Sequence, residues 1–424
     1  MTHFVQKNLW EDTCPNRLER PALSQNVTCD VAIIGGGFTG LSAALHLAKQ
    51  GKKVTLLEAR TFGYGGSGRN VGLVNAGLWL KPYEIIDRIG QDQGTALIKY
   101  LSDAPATVYD LINEYDIECE SKKIGTLHCT ADDKGEKDLK ERRAQWADFG
   151  VSLDLLNASE TQALTGTSEY HTALHDMRAG TVQPLAYAHG LARAALQEGA
   201  DLYEQSEVTN VQSQNGKWTL RTDKGSVIAD KVISVTGGYN ARQTDWIAPD
   251  TSSLYYFQLA TEPLTQEQLT YVLPQKHSLW DTKSVLTSFR LNDEGRLIIG
   301  SVGKLDHILS CAHQRWAKRK IKAVYPIVKD PTFTHEWYGR IAMTSNNIPR
   351  ISEPNPNWLT IWGYNGRGIA PGTAFGRTLA QIAIDGDHGH SPLTFGGLKK
   401  DAFTGVQSLA IETGASLYHM LPNS

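Results

Sequence analysis

The feature that most constrains this chain is a strand followed at once by closely spaced glycines, within residues 30–58. Val31–Ile34 is a short apolar run of the kind that a buried parallel strand needs. Gly35, Gly37 and Gly40 come next, at the spacing G-x-G-x-x-G. The first glycine permits a tight turn, the second lets a pyrophosphate approach the backbone, and the third allows a helix to pack closely on the strand. The sequence therefore predicts a β-α-β unit that binds a dinucleotide.

The residues that follow the glycines complete this unit. Apolar residues recur at helical spacing over 41–48, Gly51 is a stop signal, and Val54–Leu57 is a second apolar strand. Glu58 ends this strand 18 residues after Gly40, where a carboxylate can accept a hydrogen bond from a ribose 2′-OH. An acid at this position disfavours NADP, whose ribose is phosphorylated. The motif by itself leaves both FAD and NAD open.

A second glycine-rich stretch follows at residues 60–77, with six glycines among 18 residues. Such a density of glycine weakens any helix or strand, so the segment is either a flexible loop or a loop that wraps around the cofactor. We favour the cofactor loop because it starts at the carboxyl end of the second strand, where parallel sheets bind their ligands. Ser67, Arg69 and Asn70 are then its polar contacts.

Composition and charge disfavour several classes of protein. The 424 residues have a formal net charge of −3 and a pI near 6.5, which favours neither nucleic acid nor an anionic membrane surface as a partner. No apolar run reaches the roughly 18 residues of a transmembrane segment, and the first residues have no apolar core of a signal peptide. The five scattered cysteines match no disulfide framework and no zinc site, so we expect a cytoplasmic protein without a bound metal.

Beyond residue 80 the pattern predicts helices and strands in turn. Helical periodicity is clear over residues 83–118, 134–149 and 184–199. Residues 125–130 are predicted to form a strand, in which His128 is expected to be a structural histidine.

Residues 254–340 have a different character, because several segments alternate like antiparallel strands. Asn292-Asp293-Glu294-Gly295 predicts a hairpin turn between two of them, and residues 313–325 predict an amphipathic helix. We therefore expect a second, sheet-based domain here, flanked by two strands of the nucleotide-binding domain. The first is Val232–Val235, and the second ends in the glycines of residues 358–376, where a helix N-terminus would suit a flavin ring.

Three motifs together resemble a known family. DVAIIGGGFTGLSAALHLA, then GYGGSGRN at 63–70 and GYNGRG at 363–368, are similar to the FAD-dependent amine and amino-acid oxidases of the D-amino-acid oxidase superfamily. The resemblance extends over residues 28–385 in the expected order. GGSGRNVGLVNAGLW (65–79) and YYFQLATEPL (255–264) are most similar to the bacterial L-pipecolate oxidases. The γ-glutamylputrescine oxidases are the other members that the chain resembles most.

This resemblance implies an α/β (α+β two-domain) fold of the glycine oxidase and sarcosine oxidase type. A Rossmann-like FAD-binding domain would be combined with an antiparallel-sheet substrate domain that covers the flavin ring. The implied limits are 1–80, 150–240 and 341–390 for a discontinuous FAD-binding domain, 81–149 and 241–340 for the substrate-binding domain, and 391–424 for a C-terminal extension.

The resemblance also implies which residues hold the cofactor. The set comprises the motif residues of the two glycine-rich segments, two positions near the adenine side, and the late glycine loop at the flavin pyrimidine edge. These residues are Gly35, Gly37, Gly40, Glu58, Ser67, Arg69, Asn70, Val208, Gly238, Gly363, Asn365, Gly366, Gly368 and Ile369. The sequence shows no obvious cysteine for the covalent flavin link that sarcosine oxidase carries, and Cys311 is the only cysteine in the corresponding half of the chain. We therefore expect noncovalent FAD.

The implied catalytic residues are Arg340, Tyr256 and Arg367. Arg340 falls near the place where amino-acid oxidases carry the arginine that pairs with the substrate carboxylate, although this chain reads GRIA where relatives often read GLRP. A structural ion pair is the alternative role for Arg340, and Arg367 is the second candidate for the carboxylate. Candidate aromatic walls of the pocket are Tyr255, Tyr256, Trp79 and Trp280, for which packing in the core is the alternative explanation.

The implied activity is oxidation of a C–N bond in a small amine, amino acid or cyclic imino acid, with hydride transfer to flavin N5 and reduction of oxygen to hydrogen peroxide. One alternative is an FAD dehydrogenase of the same fold that passes electrons to a quinone or carrier. Another is a flavin-binding protein without turnover. An NAD-linked dehydrogenase is disfavoured by the glycine-rich loop after Glu58 and by the late GYNGRG segment.

Overall fold

The computed structural model describes residues 6–239, 251–306, 310–398 and 404–421. The helices in these ranges are α1 (Leu9–Asp12), α2 (Phe38–Lys49), α3 (Pro82–Ile89), α4 (Gln91–Glu114), α5 (Asp133–Asp148), α6 (Ala158–Thr165), α7 (Pro184–Gln197), α8 (Gln266–Leu269), α9 (Ser310–Val324), α10 (Ile369–Asp385) and α11 (Thr404–Met420). The strands are β1 (Asn26–Ile34), β2 (Val54–Leu57), β3 (Leu73–Val74), β4 (Thr126–Thr130), β5 (Asp154–Leu156), β6 (Thr172–Asp176), β7 (Gly180–Thr181), β8 (Asp201–Tyr203), β9 (Asn210–Gln214), β10 (Lys217–Arg221), β11 (Ser226–Ser234), β12 (Ser252–Pro263), β13 (Ser278–Asp281), β14 (Thr287–Leu291), β15 (Arg296–Val302), β16 (Phe333–Met343), β17 (Arg350–Asn355) and β18 (Trp358–Trp362).

The first sheet is built around β1 and carries the glycine motif. Its strand order is β17-β18-β11-β1-β2-β8, with parallel pairing from β18 to β8, and the β9–β10 hairpin pairs with β11. Strand β1 is buried on both faces, as its apolar run requires. Val31 and Ile33 belong to the core that contains α2 and α10, whereas Ala32 and Ile34 belong to a core with Trp218 of β10. The predicted strand-glycine-helix-strand unit is thus present.

The second sheet is antiparallel except for the parallel pair β13–β4. Its strand order is β16-β12-β15-β14-β13-β4-β6-β5. The predicted hairpin at residues 292–295 joins β14 to β15, and Gly295 N–H donates to Asn292 O at 3.1 Å. One face, which we call the outer face, packs against α9 through side chains that include Phe257, Phe289 and Trp316. One mainly parallel sheet and one mainly antiparallel sheet agree with the predicted fold class.

The two sheets draw on segments that cross the predicted domain limits. Strands β5 and β6, from the range 150–240 that we assigned to the FAD-binding domain, pair into the second sheet. Helices α3 and α4, from the range 81–149 that we assigned to the substrate domain, share a core with β1 and α2. A short strand pattern does not specify its sheet, because the partner is chosen by pairing between residues far apart in sequence. A division that follows sheet membership is therefore our revised proposal for the domains.

Two further elements differ from the sequence pattern. The helix predicted over 83–118 is two helices, because Gly90, at φ +88°, ends α3 before α4 begins. The C-terminal extension contains α11, which packs on β12 and α9. Ser253 N–H of β12 donates to Ser408 Oγ of α11 at 2.7 Å. In the described ranges, no helix combines the length and the apolar character that crossing a bilayer would require.

Candidate active site

The motif glycines allow close backbone contacts at the start of α2. A Cβ atom on Gly40 would lie 2.0 Å from Gly35 O, and one on Gly35, at φ +112°, would lie 2.9 Å from Val235 O. Gly37 caps the helix without a side-chain hydrogen bond, and a Cβ atom there would lie 2.8 Å from Ser67 Oγ. The helix N-terminus therefore has no side chain of its own over it, as an anion site requires.

Glu58 lies beside this turn at the carboxyl end of β2. Its Oε2 accepts from Gly36 N–H at 2.7 Å, and its Oε1 accepts from Arg60 N–H at 2.8 Å. Burial raises the pKa of the Glu58 carboxyl, and the Gly36 N–H opposes that shift by stabilising the charged form. Ser206 N–H donates to Glu58 O at 2.8 Å, so the buried Val208 follows within two residues of this contact. The predicted ribose and adenine contacts thus lie near one another.

The loop at 60–77 folds over the same helix end. Ser67 Oγ accepts from Phe38 N–H at 3.2 Å. The Asn70 amide donates to Gly66 O at 3.0 Å and to Ser67 O at 2.8 Å, and its Oδ1 accepts from Gly72 N–H at 2.8 Å. The side chains of Ser67 and Asn70 therefore hold the loop in shape and against the start of α2.

Arg69 differs from its two neighbours in the loop. Its carbonyl accepts from Trp337 Nε1 at 3.1 Å, which fixes the loop against the second sheet. Its guanidinium carbon lies 4.2 Å from the centre of the Tyr64 ring. The buried Nη1 atom has no hydrogen-bond partner in the part of the chain that the structure describes. A buried cationic donor of this kind is suited to a phosphate or carbonyl oxygen.

The late glycine loop, residues 363–368, reaches the site from β18 and leads into α10. Asn365 Oδ1 accepts from Thr344 N–H at 2.8 Å, so the Asn365 side chain holds the loop rather than projecting from it. A Cβ atom on Gly366 would lie 3.2 Å from Trp79 Nε1. Gly368 caps α10 without a side-chain hydrogen bond. This helix end, with Ile369 as the first helical residue, is therefore a second N-terminus that is open to a ligand.

The second sheet faces these loops with its inner face, which is opposite to α9. Residues paired across neighbouring strands project from the same face. One row of pairs crosses seven strands and consists of Trp337, Gln258, Gly300, Ser288, Trp280, His128 and Leu174. None of these seven residues is acidic. The row is therefore an aromatic and neutral polar surface.

Tyr256 lies across the gap that Gly300 leaves in this row. A Cβ atom on Gly300 would lie 2.6 Å from Tyr256 Cε1, 2.9 Å from Ser288 Oγ and 3.0 Å from Gln258 Oε1. The Tyr256 and Ser288 hydroxyls are 2.9 Å apart and hydrogen-bonded. Burial raises the pKa of the Tyr256 hydroxyl, so this side chain stays neutral. The structure thus brings the predicted Tyr256 together with two residues that we did not predict, Gln258 and Ser288.

Arg367 lies in an aromatic cage at the other end of the row. Its guanidinium carbon is 4.6 Å from the centre of the Trp79 ring and 5.4 Å from that of Trp280. Nη1 donates to Ala76 O at 2.8 Å, and Nε has no hydrogen-bond partner among the residues that the structure describes. Burial, reinforced by the charge of Arg142, lowers the pKa of Arg367 to about 9. No carboxylate pairs with this buried cation in the described ranges, so the site would accept an anion from a ligand.

His128 belongs to the same cage. Its ring stacks on Trp280 at a centre-to-centre distance of 5.1 Å. Burial, with the charges of Arg142 and Arg367, holds the pKa of His128 well below its usual value. The imidazole is therefore neutral at physiological pH, and it faces the site rather than the outer core. We had expected a purely structural histidine here, and its position on the inner face adds it to the site wall.

Arg340 does not belong to the inner face of the second sheet. It is paired with Tyr255, so its side chain leaves the face opposite to that of Tyr256. Its guanidinium carbon lies 5.2 Å from the centre of the Tyr239 ring, and its backbone N–H donates to the Tyr239 hydroxyl at 2.8 Å. Ile341 is on the inner face instead and approaches Gly366. The structure does not bring Arg340 and Tyr256 to one ligand, and Tyr255 likewise lies outside the pocket wall.

Gly238 and Cys311 are two further residues that the sequence analysis singled out. A Cβ atom on Gly238 would lie 3.4 Å from Arg340 O and 3.3 Å from Ala342 N, so Gly238 is beside β16. Cys311 is exposed on α9, on the outer side of the second sheet. The position of Cys311 supports the expectation of noncovalent FAD, which remains a prediction.

Of the residues that sequence reasoning missed, only Gln258 had a recognisable signal. Gln258 is two positions after Tyr256 on β12, and alternate residues of a strand share a face. Ser288 and Gly300 had no such signal, because the pairing of β14 with β15 sets their place opposite Gln258 and Trp280.

The donor set as a whole fits FAD. The starts of α2 and α10 lie side by side, since a Cβ atom on Gly372 would lie 3.1 Å from Thr39 Oγ1. Each helix has a glycine as its N-cap residue, which contributes no side chain, and Arg69 Nη1, without a partner in the described ranges, lies in the adjoining loop. Two glycine-capped helix N-termini, a buried cation and an acid at the end of β2 are what a pyrophosphate, a flavin and a ribose require. The fold and this site define a dinucleotide-binding oxidoreductase with a second sheet over its ligand.

The comparison with protein families makes this class specific. The model of the DAO family, described as FAD dependent oxidoreductase, matches residues 30–382. The chain belongs to this family, and its cofactor is FAD. It is an oxidoreductase related to amine and amino-acid oxidases.

Two curated relatives align over most of the chain. The probable oxidoreductase OrdL of Haemophilus influenzae is 30% identical over 414 residues, which covers 95% of this chain and 94% of that protein. The gamma-glutamylputrescine oxidoreductase of Escherichia coli is 30% identical over 367 residues, which covers 85% of this chain and 84% of that protein.

Solved structures support the fold. Glycine oxidase from Geobacillus kaustophilus superposes with a TM-score of 0.70 at 18% identity, covering 88% of this chain and 99% of that one. L-proline dehydrogenase from P. horikoshii superposes with a TM-score of 0.69 at 20% identity, covering 87% and 95%. At this level of identity the likeness shows the fold alone.

Proposed function

We propose that this protein oxidises the C–N bond of a small amine or amino acid to an imine and reduces dioxygen to hydrogen peroxide. In this reaction one C–H and one N–H bond break, a C=N bond forms, and two electrons and two protons pass to dioxygen. The observation that carries the proposal is the neutral polar row on the inner face, with the Arg367 cation over its Trp280 ring and no carboxylate paired with that cation in the described ranges. Such a surface binds an uncharged amine that bears an anionic or polar group.

The reactive group is the cofactor's, whereas the chain supplies binding and orientation. The chemistry that FAD would supply when bound is acceptance of a hydride from the carbon next to nitrogen. Two loops would hold it, the one with Ser67 and Arg69 and the one from Gly363 to Ile369, together with Glu58 and the start of α2. Support for these roles comes from the glycine contacts and the unpaired Arg69 Nη1 described above.

The inner face then acts on the substrate. An amine must lose its ammonium proton before a hydride can leave the neighbouring carbon, because the lone pair on nitrogen has to form the new C=N bond. The row contains no carboxylate that would stabilise the ammonium form. Tyr256 and Ser288 stay neutral and hydrogen-bonded to each other. Trp280, 5% exposed, helps to exclude water from the reacting atoms.

For the substrate we propose an amine with an acidic group, of the γ-glutamylputrescine or L-pipecolate kind. Arg367 has no acidic partner in the described ranges. Its planar guanidinium can offer two parallel donors to a carboxylate, which a lysine ammonium group cannot. The name of the Escherichia coli relative supports a γ-glutamylated amine. Arg367 thus replaces Arg340 as our preferred carboxylate partner.

The test is an anaerobic flavin spectrum of the purified protein, recorded before and after addition of each of several amines. The panel contains γ-glutamylputrescine, putrescine, L-pipecolate, L-proline, sarcosine and glycine. We expect one acid-bearing amine to bleach the oxidised flavin, and admitted air to restore the colour within seconds as peroxide forms. If colour returns only with an artificial electron acceptor, the protein is a dehydrogenase and the oxygen step is wrong. If nothing in the panel bleaches the flavin, the proposed substrate class is wrong.

We also propose a cytoplasmic location. Each of the five cysteines is a free thiol, and four of them are at least partly buried. Unpaired thiols of this number are typical of a reducing compartment. Fractionation of the native host, with detection of the chain by antibody, would test this.

A further inference from the structure

The cofactor loop, residues 60–77, contains an unusual series of hydrogen bonds. Four consecutive carbonyls, those of residues 68–71, each accept a hydrogen bond from a side chain outside the loop. The bonds are Asn8 Nδ2 to Gly68 O at 2.9 Å, Trp337 Nε1 to Arg69 O at 3.1 Å, Trp10 Nε1 to Asn70 O at 2.9 Å and Arg290 Nη1 to Val71 O at 2.9 Å. The backbone of this part of the loop is therefore fixed by residues that are remote in sequence.

The four donors form one buried cluster. Asn8 is 5% exposed, and Trp10, Trp337 and Arg290 are 0% exposed. The rings of Trp10 and Trp337 meet edge to face, with their centres 5.8 Å apart. The guanidinium carbon of Arg290 lies 5.0 Å from the centre of the Trp10 ring. Because the donors pack on one another, each of them is held in the orientation that its loop carbonyl requires.

Two of the donors come from residues 6–12, which we call the N-terminal strap. The strap is anchored to both neighbouring parts of the fold. Lys7 and Glu336 exchange two backbone hydrogen bonds of 3.0 Å, which attaches the strap to the edge strand β16 of the second sheet. Gln183, the N-cap residue of α7, donates from Nε2 to Trp10 O at 2.9 Å. The strap thus connects the cofactor loop to β16 and to the start of α7.

We propose that the N-terminal strap positions the cofactor loop for FAD. Asn8 and Trp10 are then positioning residues, because they act on FAD through the loop carbonyls. A loop that already has its binding shape loses less conformational freedom when the ligand binds, so the ligand binds more tightly. This inference rests on the proposed role of the loop in holding FAD, and it does not depend on which amine is oxidised.

Asn8 allows the positioning role to be separated from the stability of α1. Its Oδ1 accepts from Trp10 N–H at 3.1 Å and caps the helix, whereas its Nδ2 donates to Gly68 O. Serine is about as good an N-cap residue as asparagine, but its single oxygen cannot replace both amide atoms. Asn8→Ser therefore keeps the cap and removes the bond to the loop. The matched control is Asn157→Ser, at the exposed N-cap of α6.

The test measures the Kd for FAD of the wild type, Asn8→Ser, Asn157→Ser and Trp10→Phe, which keeps an aromatic ring and removes the indole N–H. Each FAD-loaded protein is diluted in a concentration series, and free FAD is separated by ultrafiltration and measured by fluorescence. Ser67→Ala is the positive control, because Ser67 holds the same loop against the start of α2. Hydrogen exchange at residues 66–72 and the thermal midpoint are measured for every protein.

We expect Asn8→Ser to raise the Kd for FAD about three- to fivefold and Trp10→Phe to raise it about fivefold or more, the size of one lost hydrogen bond. Hydrogen exchange at residues 66–72 should be faster in both variants, whereas Asn157→Ser should match the wild type. A lower thermal midpoint with an unchanged Kd would show that the strap only stabilises the fold, and this would overturn the inference.

Ser67→Ala distinguishes the two levels of the proposal. If Ser67→Ala raises the Kd for FAD and Asn8→Ser does not, the loop holds FAD and the role of the strap is wrong. If neither change alters the Kd, the loop does not hold FAD and the inference fails with that role. Bleaching of the wild-type flavin by an amine tests the proposed oxidation independently of both results.

Discussion

Arg340 on β16 pairs with Tyr255 of β12 rather than with Tyr256, so the two side chains predicted to be catalytic leave opposite faces of the second sheet. We therefore expect Arg340→Ala to change KM for an acid-bearing amine by less than about tenfold, equivalent to roughly 1.4 kcal/mol. Steady-state kinetics of oxygen consumption measures this. A loss of two orders of magnitude with an intact flavin spectrum would restore Arg340 as a substrate contact.

Arg367 should behave in the opposite way. Arg367→Gln removes the buried cation, and we expect the KM of an acid-bearing substrate to rise at least about tenfold, with little change for putrescine. Arg367→Lys should recover only part of the loss, since a lysine lacks the planar pair of donors. The matched control is Arg377→Gln, at an exposed arginine of the same helix region. Equal loss for putrescine would show that Arg367 supports the pocket rather than the carboxylate.

Gly40 gives a prediction about the cofactor turn. An alanine Cβ there would lie 2.0 Å from Gly35 O. This oxygen belongs to the backbone, so it cannot move aside as the end of a flexible side chain can. We expect Gly40→Ala to lower stability by about 3 kcal/mol and to lower the ratio of flavin to protein absorbance. Thermal unfolding and the spectrum of the purified variant measure both. Gly396→Ala is the control, because a Cβ atom at Gly396 meets nothing within 4 Å. Normal flavin content in Gly40→Ala would contradict the packing argument.

His419 predicts a pH dependence of stability. It lies on α11, and its Nδ1 is 2.7 Å from His313 Nδ1. Burial, reinforced by His313 and Arg319, lowers the pKa of His419 to about 3. The ordinary pKa of a histidine is about 6.5, so between these values the unfolded chain binds more protons than the folded chain. Stability that is fully present above pH 6.5 is therefore lost as the pH falls toward 3.

The measurable part of this effect lies between pH 7.5 and pH 5.5. Over that interval His419 should contribute about 1.4 kcal/mol of destabilisation. Phenylalanine does not titrate. Between pH 7.5 and pH 5.5 the free energy of unfolding of His419→Phe should therefore fall by about 1.4 kcal/mol less than that of the wild type. Chemical unfolding at both pH values measures the difference. His390→Gln, at a histidine outside this cluster, is the control. Equal pH dependence in the wild type and His419→Phe would show that the pair does not set it.

Local sequence was sufficient for the nucleotide-binding unit. The order of apolar strand, spaced glycines, helix, strand and acid over residues 30–58 has one compact solution, because the strand, the turn, the helix and the second strand follow one another directly in sequence. The hairpin at 292–295 was predictable for the same reason, as was the turn into α10. These features depend on neighbours in the chain.

The membership of each sheet and the identity of the residues on its inner face depended on pairing between strands that are distant in sequence. Whether β5 and β6 join the first or second sheet, and whether residue 340 or 341 faces the pocket, is decided by registers such as Tyr255 with Arg340. A shift of one residue moves a side chain to the other face of a sheet. The sequence by itself determined the dinucleotide-binding motif and, through the resemblance of its glycine-rich segments to a known family, FAD as the cofactor. Only the tertiary structure placed Ser288 beside Tyr256 and Arg367 over Trp280, because backbone hydrogen bonds between remote strands fix the alignment of the sheet.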